Sequence, residues 1–186
     1  MPRLILMGAP GSGKGTQGEI LCQEFGIPRI APGDMFRSAI KAGTELGQKV
    51  KSYSDAGVLV PDSLVIEVMA QRLAQADAQQ GWVLDGFPRT IPQAEALEVL
   101  LAEIHQSCDR IINLEVPIPL LLERLQQRAQ SQNRIDDTPE VIQKRLEEYH
   151  AKTFPLLQFY GDRVVHINGD QSIEQVTEAI RHTLKG

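Results

Sequence analysis

The segment GAPGSGKGT at residues 8–16 constrains the fold more than any other part of this 186-residue chain. It follows a short apolar run at residues 4–7, which predicts a buried strand, and it opens a helical pattern over residues 14–25. Glycines allow the backbone of such a loop to turn its N–H groups inward around phosphate oxygens, and the start of the helix adds positive charge. Lys14 is placed to reach the β- and γ-phosphates. The segment therefore predicts a site for a nucleoside triphosphate.

The residue after Lys14 departs from the strict phosphate-loop pattern, which has Ser or Thr there. Gly15 takes that position, and the hydroxyl falls on Thr16. We therefore expect Mg²⁺ to be held mostly by phosphates and water, which suits a cation that gives up its waters reluctantly. Asp85, at the end of the apolar run 82–84, is the carboxylate expected to reach the ion through water. The alternative for Asp85 is a helix cap or the partner of an arginine.

Short apolar runs alternate with longer helical patterns along the rest of the chain. The predicted strands are residues 4–7, 27–30, 82–84, 110–114 and 164–167, and the predicted later helices are residues 92–104, 117–130, 139–160 (bent at Pro155) and 172–184. This alternation is typical of an α/β fold with a parallel sheet covered on both faces, in which ligands bind at the carboxyl ends of the strands. Residues 34–75 instead read as consecutive helices, so we expect a small helical insert at one edge of the sheet.

The composition excludes several classes of protein. Hydrophobic residues make up 42% and charged residues 23%, which is ordinary for one soluble domain, and the net charge of -5 argues against bulk binding of nucleic acid or anionic membrane. An acidic chain that binds polyanions must gather its basic residues in a cleft. Cys22 and Cys108 lack ligand spacing, so we expect reduced thiols and no zinc site. No apolar run has membrane-spanning length and no signal peptide precedes the first strand, so the expected location is cytoplasmic.

Several further motifs narrow the choice among phosphate-loop proteins. They are LDGFPRT at residues 84–90 with Gln93, GDMFR at 33–37, DAGVLVPD at 55–62, NRIDD at 133–137, and Arg145-Leu146 with Tyr149. Spread in order over nearly the whole chain, these motifs resemble those of the adenylate kinases, within the nucleoside monophosphate kinases.

The resemblance implies a three-layer α/β/α fold with a five-stranded parallel sheet in a single phosphate-loop kinase domain over residues 1–186. Its core would comprise residues 1–30, 61–126 and 138–186, with a monophosphate-binding helical insert at 31–60 and a lid at 127–137. Such a lid is too short for the β-subdomain, with or without zinc, that many members of the family carry. The chain therefore resembles the short-lid form of the family.

The resemblance also implies reversible transfer of the terminal phosphoryl group of ATP to AMP, giving two ADP. The partners would be these two small nucleotides, with Mg²⁺ as the cofactor, and the protein would be a monomer. The reaction needs in-line positioning and positive charge around the moving group. A monophosphate acceptor has a second pKa of about 6, so it is already largely ionised and needs no strong general base. The histidines, which show no ligand spacing, are expected to be structural or exposed; they are His105, His150, His166 and His182.

The resemblance assigns the site residues of the two substrates. ATP would be bound by Gly11, Ser12, Gly13, Lys14, Gly15, Thr16, Arg128 and Gln171. AMP would be bound by Pro32, Arg37, Val58, Leu59, Val60, Gly86, Phe87, Pro88, Arg89, Gln93, Arg134 and Arg145. The catalytic cations would be Lys14, Arg89, Arg124, Arg128, Arg134 and Arg145. Guanidinium groups suit this work because they bind phosphate through two hydrogen bonds and remain charged.

Among these assignments, Arg37 and Arg89 are expected to hold the acceptor phosphate, and Gln93 to read an adenine edge. Asp136 and Asp137 are expected to orient lid arginines or to hinge the lid, and the alternative is that they cap the helix that follows, before Pro139.

One position leaves the acceptor base open. Pro32, preceded by Ala31, stands where adenylate kinases usually have a Thr that contacts the adenine, and the kinases for UMP and CMP also lack that Thr. Thr90 and Gln93 favour AMP over these alternatives. A non-catalytic protein that senses ATP is a further alternative, but it would have no need of a second phosphate site.

Overall fold

The computed structural model describes residues 1–131 and 138–185, which contain a parallel sheet between two layers of helices. The strands are β1 (Arg3–Met7), β2 (Arg29–Ile30), β3 (Trp82–Asp85), β4 (Arg110–Glu115) and β5 (Val164–Asn168). The helices are α1 (Lys14–Phe25), α2 (Pro32–Lys41), α3 (Glu45–Ala56), α4 (Asp62–Leu73), α5 (Ile91–Glu103), α6 (Ile118–Ser131), α7 (Pro139–Glu148), α8 (Pro155–Tyr160) and α9 (Ile173–Leu184). The predicted α/β fold is confirmed.

The five strands lie side by side in the order β2-β3-β1-β4-β5, and every neighbouring pair is parallel. Alternate residues of β1 face opposite layers: Leu4 and Leu6 pack with α1 and α9, whereas Ile5 and Met7 pack with α4, α5 and α8. The central strands are therefore buried on both faces and carry almost only apolar residues. Because all the strands run the same way, their carboxyl ends and the loops that follow meet at one edge.

The predicted insert without strands corresponds to α2, α3 and α4, which follow one another between β2 and β3. Helices α2 and α3 approach each other at backbone distance, since a Cβ added at Gly47 would lie 2.2 Å from the carbonyl oxygen of Ala39. Only glycine fits there. The division into core, insert and lid remains a prediction.

The predicted bend in the helix over residues 139–160 lies earlier than expected. Helix α7 ends at Glu148, and residues Tyr149–Thr153 form a π-helical turn before α8 begins at Pro155. The amide of Phe154 donates to the carbonyl of Tyr149 at 2.8 Å, five residues back. Pro155 fits the first turn of α8, where a missing N–H has no cost. The turn wider than an α-helix therefore precedes the proline, and such turns are frequent at functional sites.

No helix in the two described ranges combines the length and apolar character that crossing a bilayer requires.

Candidate active site

A cavity of about 680 Å³ opens where the loops after β1, β2, β3 and β5 meet the helical insert and helices α6 and α7. Most of the residues predicted to bind nucleotides line it. They are Gly11, Ser12, Gly13, Lys14, Gly15, Thr16, Pro32, Arg37, Val58, Leu59, Val60, Asp85, Gly86, Pro88, Arg89, Gln93, Arg124, Arg128, Arg145 and Gln171. Phe87 instead packs into the hydrophobic core with 2% of its surface exposed. Arg134, Asp136 and Asp137 lie outside the described residues.

The loop between β1 and α1 takes a shape that requires glycine. Gly11 and Gly13 have φ angles of 85° and 101°, in the region that other residues rarely adopt. Lys14 folds back over the loop, and its Nζ donates to the carbonyl oxygens of Gly8 at 2.7 Å and Ala9 at 2.9 Å. These carbonyls hold the ammonium group over the turn, and Lys14 lines the cavity there.

Burial lowers the pKa of Lys14 from its ordinary 10.5 to about 8, although the carboxylate of Asp85 opposes this effect. Arg89, Arg128 and Arg29 lower the pKa of Lys14 further because like charges disfavour its protonated form. The ammonium group is still protonated at neutral pH. Several cations therefore lie close together in the cleft.

Gly15, which stands where the usual phosphate-loop pattern has Ser or Thr, leaves room for an arginine. A Cβ at Gly15 would lie 3.3 Å from Nη2 of Arg29 and 3.8 Å from Oδ2 of Asp85. Arg29 donates to Oδ2 of Asp85 through both Nε, at 3.1 Å, and Nη2, at 2.5 Å. The alternative of an arginine partner for Asp85 is thus present in the structure.

The main chain and guanidinium group of Arg89 are held by three neighbours. Its N–H donates to Oε1 of Gln93 and its Nε to the carbonyl of Gly86, each at 2.8 Å, while its own carbonyl accepts from the hydroxyl of Thr153 at 2.9 Å. Gly86 has a φ of 71°, and a Cβ there would lie 2.9 Å from Nη2 of Arg89. Burial lowers the pKa of Arg89, and Arg145 acts in the same direction. The side chain is thus fixed while facing another cation.

Gln93, predicted to read the acceptor base, is 2% exposed and bonded to protein through both amide atoms. Its Nε2 donates to Oδ1 of Asp62 at 2.8 Å, and its Oε1 accepts from the main chain of Arg89. An amide NH₂ group and an amide oxygen each have a second hydrogen-bonding position, so some capacity remains for a ligand.

Helix α6 connects the cleft to the loop after β5. Nη2 of Arg124 donates to the carbonyl of Gly169 at 3.0 Å, and the amide of Gly169 donates to the carbonyl of Glu115 at 2.7 Å. Arg128, one turn further along α6, lines the same cavity as Arg145 of α7. The predicted catalytic cations that lie within the described residues are therefore brought together in one cleft, as expected for an acidic protein that binds polyanions.

Comparison with known proteins identifies the family. The family model described as "Adenylate kinase" matches residues 6–165. An adenylate kinase of a Cyanothece species is 53% identical over 184 residues, covering 98% of this chain and 94% of the relative. Adenylate kinase 1 of a Nostoc species is 49% identical over 186 residues, with 99% of both chains covered. The chain belongs to the adenylate kinase family. A Leptospira biflexa adenylate kinase, 47% identical over 182 residues and covering 97% and 98% of the two chains, agrees with this assignment.

Membership in the adenylate kinase family confirms the resemblance drawn from the motifs, yet the motifs do not reveal every charged or polar group in the cleft. Arg29, Ser54, Glu148 and Thr153 also line the cavity. A signal for Arg29 exists in the sequence, since it lies at the end of a predicted parallel strand, where ligand-binding residues gather. Thr153 could not be found this way because its place depends on the π-helical turn.

Proposed function

We propose that this chain catalyses the reversible transfer of the terminal phosphoryl group of ATP to AMP, giving two ADP. The observation that carries the proposal is a single cavity, in a member of the adenylate kinase family, with positively charged side chains at both of its ends. One end is the glycine loop with Lys14, and the other holds Arg37 and Arg89. A protein that only senses ATP would have no need of the second end.

The proposed reaction follows from this arrangement. An oxygen of the AMP phosphate attacks the γ-phosphorus of ATP in line with the oxygen that bridges to the β-phosphate. The new P–O bond forms as the bridging bond breaks, so both products are ADP. Arg37 and Arg89 position the attacking phosphate, and Lys14 neutralises the charge that develops on the triphosphate.

The remaining proposed catalytic cations stabilise the phosphoryl group during transfer. Arg124 and Arg128 project from one helix and Arg145 from the next, and Arg134 joins them by resemblance. Their fixed positive charge is strongest when water is excluded, so we propose that the lid closes over the bound nucleotides. Exclusion of water also prevents hydrolysis of ATP. Equal solvent access to the cleft with and without both nucleotides would contradict closure.

We propose that Mg²⁺ accompanies ATP and is held by phosphates and water. Carboxylate and hydroxyl oxygens are the donors that this ion prefers, and Asp85 and Thr16 bring both types to the cleft beside the glycine loop. Asp85 would contact the ion through water, because its Oδ2 already accepts from Arg29. Mg²⁺ supplies charge neutralisation and orientation of the phosphates when bound.

A zinc ion has no place in this proposal. Cys22 and Cys108 pack against opposite faces of the sheet, so they cannot share a metal ion. Burial raises the pKa of Cys22 to about 11 and that of Cys108 to about 12, which keeps both as unreactive thiols. We also propose that the protein is a cytoplasmic monomer, on the basis of its size and the resemblance of its motifs.

The acceptor is proposed to be AMP. Pro32 opens α2 and offers no hydroxyl to a base, so selection depends on the neighbouring lining. That lining consists of apolar residues 58–60 together with the amide of Gln93, which retains capacity to donate and accept. An adenine edge presents both a donor and an acceptor.

A coupled assay with ATP and one of AMP, UMP, CMP or GMP tests the proposal. We expect consumption of ATP with AMP at least tenfold faster than with any other acceptor. Fast turnover with UMP or CMP would replace AMP as the substrate, and no turnover with any acceptor would favour the sensor. An inhibitor joining two adenosines through a phosphate chain should compete with both ATP and AMP, because it spans both ends of the cavity.

A further inference from the structure

Four charged side chains form a continuous chain of ion pairs along one wall of the cleft. Arg29 contacts Asp85 through Nη2 at 2.5 Å and Asp34 through Nη1 at 2.6 Å. The second oxygen of Asp34 accepts from Nη2 of Arg37. This series of ion pairs therefore runs from Asp85, beside the glycine loop, to Arg37, at the acceptor end. Arg29 is the member that joins the two halves.

The position of Arg29 is fixed by its surroundings. Strand β2 pairs with β3 in a register that sets Arg29 opposite Val83. The side chain then runs across α1 where two glycines leave space: a Cβ at Gly18 would lie 3.0 Å from Cδ of Arg29, and one at Gly15 would lie 3.3 Å from Nη2. Only 21% of the Arg29 side chain is exposed. The side chain of Arg29 is thus held in one orientation by packing and is largely shielded from solvent.

The position of Arg29 allows its guanidinium group to bind the carboxylates of Asp85 and Asp34 together. A guanidinium group presents donors on two sides, so one arginine can bind two carboxylates at once in fixed geometry. Asp85 is 9% exposed and Asp34 is 41% exposed. Without Arg29, the buried carboxylate of Asp85 would lose two charge-assisted hydrogen bonds, and Asp34, which also contacts Arg37, would lose one.

We propose that Arg29 is a positioning residue that couples the triphosphate and acceptor sites of this enzyme. It fixes the carboxylate of Asp85 on one side and, through Asp34, the guanidinium group of Arg37 on the other. The inference rests on the proposed function, since the two sites are the ATP and AMP ends of the cleft. Coupling between binding sites is reciprocal, so occupation of either site changes the affinity of the other by the same factor.

A purely structural ion pair would behave differently. Its loss would lower the free energy of unfolding and leave the relation between the two sites unchanged. Loss of a coupling residue would change the factor by which one nucleotide alters the affinity of the other, in a protein that remains folded. This factor is therefore the deciding quantity.

The experiment compares Arg29→Gln with Arg72→Gln in the full chain. Arg72 is a matched control because it also forms a two-point contact with an aspartate, Asp77, and is 17% exposed, but it does not line the cleft. Calorimetric titration measures AMP affinity without Mg²⁺, first in the free protein and then with a saturating non-hydrolysable ATP analogue. Both measurements are repeated with Mg²⁺. In each condition, the ratio of the AMP affinity with the analogue to the AMP affinity without it gives the coupling factor.

We expect Arg29→Gln to weaken AMP binding by about tenfold, the loss of roughly one charge-assisted contact at Arg37, and to bring the coupling factor close to 1. Arg72→Gln should match the wild type in both quantities. Arg29→Lys should be intermediate, because an ammonium group cannot hold two carboxylates in the same fixed geometry. A factor that Arg29→Gln leaves unchanged, or a factor of 1 in the wild type, would overturn the proposal.

Two further measurements keep failures distinguishable. If thermal melting shows that Arg29→Gln does not fold, Asp34→Asn replaces it. That variant weakens the ion pairs of Asp34 with Arg29 and Arg37 while retaining the contact between Arg29 and Asp85. An unchanged coupling factor in Asp34→Asn would overturn the proposal. Turnover of ATP with AMP by the wild type tests the function separately. Wild-type turnover with unaltered coupling in the variants defeats only the role of Arg29, whereas absence of turnover with AMP defeats both.

Discussion

The side-chain hydroxyl of Thr153 donates to the main-chain carbonyl of Arg89 across 2.9 Å, although 64 positions separate them in sequence. Thr153 ends the π-helical turn Tyr149–Thr153, and an uninterrupted α-helix would place this residue in a different direction. The N–H of Arg89 is held in turn by Oε1 of Gln93. Both main-chain polar groups of the arginine are therefore bonded to side chains, which fixes where its guanidinium group can point.

Replacing Thr153 by Val, which removes the hydroxyl and keeps the shape, should raise the KM for AMP about five- to tenfold, since loss of a buried hydrogen bond costs about 1–1.5 kcal/mol. The KM for ATP should stay within about twofold, because the hydrogen bond that the structure shows for this hydroxyl goes to Arg89, the proposed acceptor-site arginine. Steady-state kinetics with each substrate varied in turn measures both values. Thr153→Ser should restore the wild-type KM, and an equal rise in both KM values would contradict this role.

Lys14→Met should abolish measurable turnover without unfolding the protein. The ammonium group is the only lysine charge that the structure places at the glycine loop among the described cavity residues, and methionine has similar length without charge. Turnover by the coupled assay and the circular dichroism spectrum give the two readouts. Activity above about a hundredth of wild type would remove Lys14 from the catalytic set.

The same variant gives a pH dependence for the ligand-free protein. The pKa of Lys14 is about 8 in the folded chain against 10.5 ordinarily, so the buried charge destabilises the fold fully below pH 8. Between pH 8 and 10.5 the unfolded chain binds more protons than the folded one, and wild-type stability rises with pH relative to that of the variant. Any stability advantage of Lys14→Met at pH 7 should therefore shrink above pH 8. Urea denaturation of both proteins across this range measures it, and a constant difference would contradict the assigned shift.

Arg89→Ala should raise the KM for AMP by about a hundredfold, since it would remove the proposed charge-assisted contact to the acceptor phosphate, worth about 2–3 kcal/mol. The affinity for ATP, measured by titration, should change far less. Arg163→Ala serves as the control, because Arg163 pairs with Glu98 on the surface. Unchanged acceptor kinetics in Arg89→Ala would break the assignment of the acceptor site.

Two glycines with the same backbone geometry separate strain from contact. Gly26 and Gly57 end α1 and α3 with φ angles of 64° and 68°, but a Cβ would meet nothing within 4 Å at Gly26 and would lie 2.9 Å from Cγ1 of Val141 at Gly57. Gly26→Ala should cost about 1 kcal/mol of unfolding free energy from the backbone alone. Gly57→Ala should cost about 1–2 kcal/mol more because it forces α3 away from α7.

Urea denaturation of the two variants gives the comparison. Adding Val141→Ala to Gly57→Ala should recover part of the extra loss, since it removes the methyl group that the new Cβ meets. Equal costs at Gly26 and Gly57 would show that the helical insert does not rest on α7 in solution.

The elements that the sequence predicts well are those determined by neighbouring residues. Helix α1 begins at Lys14 and ends at Phe25 as expected, because glycines mark both of its ends. The candidate cleft was also predictable, since its motifs follow parallel strands whose carboxyl ends must meet. The strand expected over residues 27–30 is shorter, Arg29–Ile30, because it pairs with β3 only at those two residues.

The parts that the sequence does not reveal depend on contacts between distant residues. Asp85 lies 56 positions from Arg29. The sequence indicates that each charged side chain needs a partner, but it does not identify the residue with which each one pairs. The π-helical turn is equally hidden, because Pro155 marks a bend but not the place where the hydrogen-bonding pattern widens. Such features follow from packing of α7 and α8 on the rest of the molecule.

The crowding of cations in the cleft has a consequence for how long the molecule survives. Lys14 and Arg89 each lie near arginines of the same charge, a repulsion that Asp85 offsets in part and that a bound anion would reduce further. A nucleotide that binds the folded chain but not the unfolded chain stabilises the fold, and the gain rises with the logarithm of the ratio of nucleotide concentration to Kd. Adenine nucleotides should thus protect the chain from proteolysis, and their depletion should shorten its lifetime.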